Sequence, residues 1–375
     1  MNEKAPLNLY DWAAGRTGHP FRMWDGIQAG PSIVEQCVTG EVAEAAIRVA
    51  QALKDRNVRR VYLLGCGTSY FAGMSIAAAL AEFGGIDADS YNAFEFGRYK
   101  VDSIGPNSAV IAISHSGHTK VDIEAIQGAR RKGVMTVCLT DVPESPLAEA
   151  AEFVVPGAGG RDPSLPKTRS YLAALVKGYL IAVSLSGDQK ALDELHALPV
   201  LLKSLMPMAQ RMKDLAETYA QCRNIMVVGG GPNAQTAMEI ALKFKEAALI
   251  PAEGLEIEEA IHGPATTLDE ETLVIALSTP GASYEKIGSF CRAALVIGSP
   301  VINVTTVPYD IEGATTVEVK APGIRENFTP PLLVYPMQMM VYWTSLARGI
   351  VPDVIRTNIP KYKQAMMIIM PAGTH

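Results

Sequence analysis

One pattern occurs twice in this chain, and few architectures can use it. An apolar run, VYLL at 61–64, ends in the small residues GCGTS at 65–69 and passes into an alanine-rich helix, MSIAAALAEF at 74–83. A second run, AVIAI at 109–113, ends in SHSGHT at 114–119 and passes into VDIEAIQGARRKG at 121–133. Roughly 165 residues later the order returns: NIMVV into GGGP at 229–232, then LVIAL into STPGAS at 278–283 and a helix from residue 284. Further strands are expected at 135–139 and near 153–155 in the first half, and at 301–304 and near 316–319 in the second. Short unbroken apolar runs that alternate with helices suit a parallel sheet covered on both faces. The expected fold is therefore α/β: two tandem doubly wound parallel-sheet domains, flavodoxin- or Rossmann-like, each a three-layer α/β/α sandwich.

The remaining chain fits around these two blocks. An N-terminal arm and helix are expected over 1–50, with 1–22 extended and Ser32 capping a helical stretch within 23–55. The first domain then covers 51–187, closed by a helix near 171–184. The second covers 188–350, ending in a long Met- and aromatic-rich helix at 329–348 that reads as core. A basic tail, 351–375, follows and has the character of a flexible arm.

Composition narrows the function classes. The 375 residues carry a net charge of −6, which disfavours nucleic acid as a partner. Five cysteines are scattered without a CxxC pair, as in a reducing compartment, and the six histidines lack ligand spacing, so no metal or cofactor is expected. The N-terminus has no basic segment followed by an apolar run, and no stretch of ~18 apolar residues occurs, so a cytoplasmic protein without a membrane span is expected.

Two loops invite an anion. Thr68 and Ser69 open one helix, and Ser114, Ser116 and Thr119 open another, with Gly117 allowing close approach. Backbone N–H groups and the helix dipole at both places favour a phosphate, although a Ser/Thr cluster also serves as an ordinary cap. GCGTSY is not the dinucleotide fingerprint, because its third glycine position holds Tyr70. Proton carriers are sought in ALKFKEAALIPAEGLEIEEAIHGP at 241–264. A helix is expected there up to Pro251, then an acidic run of Glu253, Glu256, Glu258 and Glu259, then His262. Glu246 and His262 are the candidates, set against the common roles of a solvated helical Glu and a turn His.

GCGTS at 65–69, SHSGHT at 114–119, ALKFKE at 241–246 and HGP at 262–264 together resemble the SIS (sugar isomerase) family, over nearly the whole chain. The likeness is to the isomerase half of glutamine–fructose-6-phosphate aminotransferase and to stand-alone amino-sugar-phosphate deaminases and deglycases. The resemblance implies that Cys66, Thr68, Ser114, His115, Ser116 and Thr119 ring a sugar 6-phosphate; Gly67, Ser69 and Lys167 are further candidates for binding the phosphate or the substrate. It implies Glu246 as the base that moves a proton between C1 and C2, with Lys243 next to it. His262 would open the sugar ring from the partner subunit of a homodimer, and Lys361 would lie over the open-chain sugar.

Three departures from that pattern stand out. The first cysteine is Cys37, inside a helix, so no glutaminase activity is expected in this chain. Lys167 and Arg169 add cations near the sugar, for an acidic substrate group or for a salt bridge to the acidic run. His115 and His118 stand where the synthase has Gln and Glu, with His118 expected to face solvent. The function expected is deamination or deglycation of a 6-phosphorylated amino sugar or sugar–amine adduct. The alternatives are an aldose–ketose isomerase and a non-catalytic sugar-phosphate-binding regulatory module.

Overall fold

A computed structural model describes residues 16–157, 159–162, 164–371 and 374. The extended arm expected at the N-terminus lies almost wholly outside the described residues. The chain divides into two compact units, one of residues up to Leu192 together with those from Asp353 on, the other Asp193–Pro352.

In the first unit, β1 (Arg60–Gly65), β2 (Asp87–Asn92), β3 (Ser108–Ile113), β4 (Met135–Leu139) and β5 (Phe153–Val155) form an all-parallel sheet in the order β2-β1-β3-β4-β5. In the second, β6 (Asn224–Gly229), β7 (Ala252–Glu256), β8 (Thr272–Ser278), β9 (Val301–Thr305) and β10 (Thr315–Glu318) repeat that order, reading β7-β6-β8-β9-β10. Each half is thus a doubly wound sheet, as the repeat implied. The order places β1 beside β3, and β6 beside β8, so the loops after those strands share one sheet edge, where open α/β sheets bind ligands.

Sequence reading missed β2 and β7 for a physical reason. Both are edge strands made of polar and small residues, DADSYN and AEGLE, and neither contains a fully buried run. The central strands β3, β4 and β8 are buried throughout and announce themselves as apolar. The acidic run after Pro251 accordingly turns out to be β7 and a short helix, Ile257–Ile261.

Several helix limits differ from expectation. Arg22–Cys37 is one helix that runs through Pro31 and Ser32, so Ser32 is not a cap. Its N-terminus is instead closed from a distance: the Asp353 carboxylate accepts from Arg22 N (2.9 Å) and Met23 N (2.8 Å). The helix after β1 begins at Thr68, not residue 74, because Gly67 adopts φ 53°, ψ −122° and turns the strand directly into it. Within the basic tail Pro360–Ile369 is helical.

Helices Arg169–Ser186 and Pro330–Ala347 are each apolar nearly all round, and each is buried within its own unit. Gly178 lets the first press against Thr68–Gly84, since a Cβ there would stand 2.3 Å from Ile76 Cγ1. No described helix is long and apolar enough to cross a membrane.

Candidate functional site

The first unit presents the two hydroxyl loops side by side. Gly67 and Thr119 precede their helices without a side-chain cap, and the chain itself supplies some of the acceptors there, Lys120 N donating to Thr374 O at 3.0 Å and Ser69 N to Cys66 O at 3.2 Å. Gly117 sits at φ 65°, closing the turn with a Gly117 N to Ser114 O bond of 3.2 Å. Ser114 Oγ and Thr119 Oγ1 stand 3.4 Å apart, and Ser116 Oγ accepts from His118 N at 3.3 Å. His118 is half-buried rather than solvent-facing, with Nδ1 2.6 Å from Ser116 O.

Beneath these loops lies a buried charged network that the sequence did not disclose. His115 Nδ1 is 2.9 Å from Asp141 Oδ2, and His115 Nε2 accepts from Asp162 N at 2.9 Å. Because Nε2 is an acceptor, the ring proton sits on Nδ1 and is donated to Asp141. Burial lowers the His115 pKa, outweighing the carboxylate's pull, which agrees with a neutral ring. Lys177, 2% exposed, donates to Asp141 Oδ1 at 3.1 Å. Burial alone would push Asp141 up, but Lys177 and His115 hold it down at about 2.

His115 therefore has both nitrogens committed to the protein and braces the loop from behind. Together with Thr68, Ser69, Asp141, Lys167 and Lys177 it lines a cavity of about 20 Å³, room for roughly one water. Asp122 lies under the same loop, fully buried, where burial raises its pKa to about 7 against the Ser114 and Thr119 hydroxyls. Cys66 is raised to about 12, chiefly by burial.

The two cations of the 164–169 segment part company. Arg169 binds loop carbonyls, Gly159 O at 2.9 Å and Arg161 O at 2.6 Å, and so serves the backbone. Lys167 donates to Ser164 O at 2.8 Å and faces the cavity with Thr68 and Ser69. Asp162 fastens the segment, accepting from Thr168 N (3.0 Å) and Ser170 Oγ (3.0 Å).

In the second unit the helix Pro232–Lys243 does not run on to Pro251. It widens into a π-turn, Phe244–Ala248, and Leu249 reverses the chain at φ 56°. Such turns re-aim side chains and often mark functional positions. Glu246 sits in this turn with its side chain 28% exposed, hydrogen-bonded to Lys243, which is 1% exposed. Glu239, fully buried one helical turn earlier, holds the other side of the ammonium at 3.4 Å. Burial works against the charge on Lys243, but the two carboxylates prevail and raise its pKa.

His262 follows the short helix Ile257–Ile261 and is 75% exposed, with Nδ1 bonded to Glu258 O at 2.8 Å. Lys361 lies exposed in the first turn of Pro360–Ile369, its Nζ 5.2 Å from the Tyr362 ring. Sequence reasoning missed Asp141, Asp162, Lys177 and Glu239. Lys177 did leave a signal, as the lone charge in the middle of the apolar helix YLAALVKGYLIAV.

The family model for the SIS domain matches residues 56–192 and again 218–348. The chain belongs to the SIS domain family. Among curated relatives, a glutamine–fructose-6-phosphate aminotransferase [isomerizing] of Gloeobacter violaceus is 29% identical over 362 residues, covering 92% of this SIS protein and 59% of the relative. The chain thus spans little more than half the length of the curated relatives it matches. The solved C-terminal domain of glucosamine-fructose-6-phosphate aminotransferase from Francisella tularensis superposes with TM-score 0.82 at 20% identity, covering 91% of this chain and 99% of that one. A glucosamine-6-phosphate deaminase from Thermotoga maritima superposes with TM-score 0.68 at 18% identity, over 88% and 96% of the two chains. These two likenesses establish the double-SIS fold.

Proposed function

We propose that this SIS protein is an enzyme that releases ammonia or an amine from a 6-phosphorylated amino sugar or sugar–amine adduct. The observation that carries the reading is Glu246. Its carboxylate is accessible at a π-turn, while Lys243 and Glu239 anchor it from within the core. A fixed carboxylate over two adjacent carbons is what enolisation needs: it takes the proton from one carbon and returns it to the other. For an amino sugar this converts the C2 amine into an imine, which water hydrolyses to ketose and ammonia. For a 1-amino ketose adduct the same shift gives a C1 imine, hydrolysed to aldose and amine. Both balance with one water and need no redox partner.

The phosphate would sit on the hydroxyl loops of the first unit, on Thr68, Ser69, Ser114, Ser116 and Thr119, the backbone of Cys66 and Gly67, and Lys167. Its binding energy would hold the reacting carbons in place. His115 enters this scheme as a positioning residue, since its ring nitrogens are taken up by Asp141 and Asp162. His262, mostly exposed on its own unit, would serve the site of a partner subunit in a homodimer and open the sugar ring, and Lys361 would cover the open chain. The Gloeobacter relative, whose name joins amino transfer on fructose 6-phosphate to isomerisation, supports C–N chemistry on a sugar phosphate and also keeps plain aldose–ketose isomerisation as the second reading.

The test offers purified protein glucosamine 6-phosphate, fructose 6-phosphate and a phosphorylated Amadori compound, and follows ammonia, amine and sugar. Glu246→Gln should cut the positive reaction by about 10²–10⁴-fold. Unchanged turnover in that variant ends the assignment. No turnover with any compound, but a melting temperature raised by fructose 6-phosphate, would point to a sugar-phosphate-binding regulatory module instead. Sedimentation of an active monomer would remove the role given to His262.

A further inference from the structure

The duplication leaves a second set of loops to account for. β1 and β6 start at Arg60 and Asn224, and β3 and β8 at Ser108 and Thr272, the same interval of 164 residues in each case. Ser114 thereby corresponds to Ser278, Gly117 to Gly281, and Gly67 to Gly231. The backbone has kept its form: Gly231 stands at φ 53°, ψ −129° before its helix, against φ 53°, ψ −122° for Gly67, and again no side chain caps the helix. The second unit therefore retains the shape of an oxyanion cradle.

That cradle holds a carboxylate from the same unit. Glu326, just ahead of the helix Pro330–Ala347, places its carboxylate on the loop, with Thr279 Oγ1 donating to Oε1 at 3.2 Å. A Cβ built on Gly281 would lie 2.1 Å from Glu326 Oε2 and 2.4 Å from Oε1, and its three nearest atoms all belong to Glu326. A Cβ built on Gly231 would face the same group, 3.8 Å from Oε1. Asn233, fully buried in the first turn of the helix Pro232–Lys243, donates to Thr279 Oγ1 at 3.2 Å and to Thr329 Oγ1 at 2.9 Å. Its Oδ1 and the equally buried Ser278 Oγ have no hydrogen-bond partner, so polar capacity beside the carboxylate is left unused. In the first unit the segment ahead of the corresponding helix contributes the cation Lys167 instead.

We infer that the second unit contains an oxyanion-binding site of the phosphate class, occupied by the chain's own Glu326 carboxylate as an internal ligand. A carboxylate accepts from the Thr279 hydroxyl and lies against the glycine turn much as a phosphate oxygen pair would. Its negative charge also repels an incoming phosphate, so the duplicated chain offers one open anion site rather than two. The inference concerns the second unit alone, and it stands whether or not the first unit binds a sugar phosphate.

A mutant cycle with inorganic phosphate as the probe tests it. Gly281→Ala should lower the melting temperature by about 4–10 °C in the parent, because the new methyl expels the carboxylate. In the Glu326→Ala background the same substitution should cost less than half of the parental loss, since the three atoms nearest that methyl all belong to Glu326. By titration calorimetry, Glu326→Ala should bind one more inorganic phosphate per chain than the parent, and phosphate should raise its melting temperature. If Glu326→Ala fails to fold, Glu326→Asp withdraws the carboxylate by one methylene and should tolerate Gly281→Ala with less than half the parental loss. Equal losses in all backgrounds, or no additional phosphate in Glu326→Ala, would overturn the inference.

Discussion

Lys243→Met is the most telling single change outside the reacting atoms. Methionine nearly matches lysine in volume, so packing is preserved while the ammonium is lost. Lys243 is 1% exposed, and Glu239, its partner at 3.4 Å, is fully buried. At an effective dielectric of about 20, that separation corresponds to about 5 kcal/mol of attraction. Removing one member leaves Glu239 charged in a site that water does not reach, and such changes destabilise by about 3–5 kcal/mol. For a unit of this size that is a fall of about 6–20 °C in melting temperature. Thermal and urea unfolding followed by circular dichroism at pH 7 and pH 5 measures it. The deficit should shrink at the lower pH, as Glu239 takes up a proton in place of the lost cation. The double variant Glu239→Gln/Lys243→Met should recover more than half of the loss, because the charge left without its partner, Glu246, is 28% exposed and keeps water beside it. A single variant within about 1 kcal/mol of the parent, or a double variant as poor as the sum of its parts, would refute the buried-network account.

The Asp122 carboxyl gives a pH signature. Its folded pKa, about 7, exceeds the unfolded value, so its contribution is complete at low pH and is lost as pH rises through about 7. Asp122→Asn should remove a decline of roughly 2–4 kcal/mol between pH 4 and pH 8, seen as a flatter stability curve, and an unaltered slope would count against the assignment. Asp141 acts in the opposite sense: burial is outweighed by Lys177 and His115, its pKa is about 2, and its contribution is lost as pH falls from about 4 through 2. Lys177→Met should move acid unfolding to higher pH, read by a circular-dichroism acid titration. Cys66, partly buried and raised to about 12, should alkylate at pH 8 about 10³-fold more slowly than a free thiol, and labelling at the free-thiol rate contradicts that shift.

Much of the fold was legible because its signals are local. The apolar runs that became β1, β3, β4, β6, β8 and β9 are bounded by the small residues that turn a strand into a helix. The hydroxyl loops at 65–69 and 114–119 announce helix N-termini through the same chemistry that binds an anion. β2 and β7 were silent because an edge strand is held by backbone pairing to a neighbour, and its side chains carry no apolar period. The helix ending near Lys243 was misread because a π-turn is a change of hydrogen-bond register and alters no residue type. Ser32 looked like a cap, but the helix Arg22–Cys37 obtains its carboxylate from Asp353, 330 residues further on.

By itself the sequence determined the alternation of strands and helices, the duplication, and which turns present hydroxyls and glycines at the carboxyl ends of the strands. Those depend on torsional preference and hydrophobic period, which act over a few residues. Only the tertiary structure decided the partners of the buried charges: Lys177 with Asp141 at a separation of 36 residues, the proton on His115 Nδ1, and Glu326 on a loop 47 residues before it. Electrostatic energy depends on distance and burial in space, and strand order, not spacing along the chain, sets both.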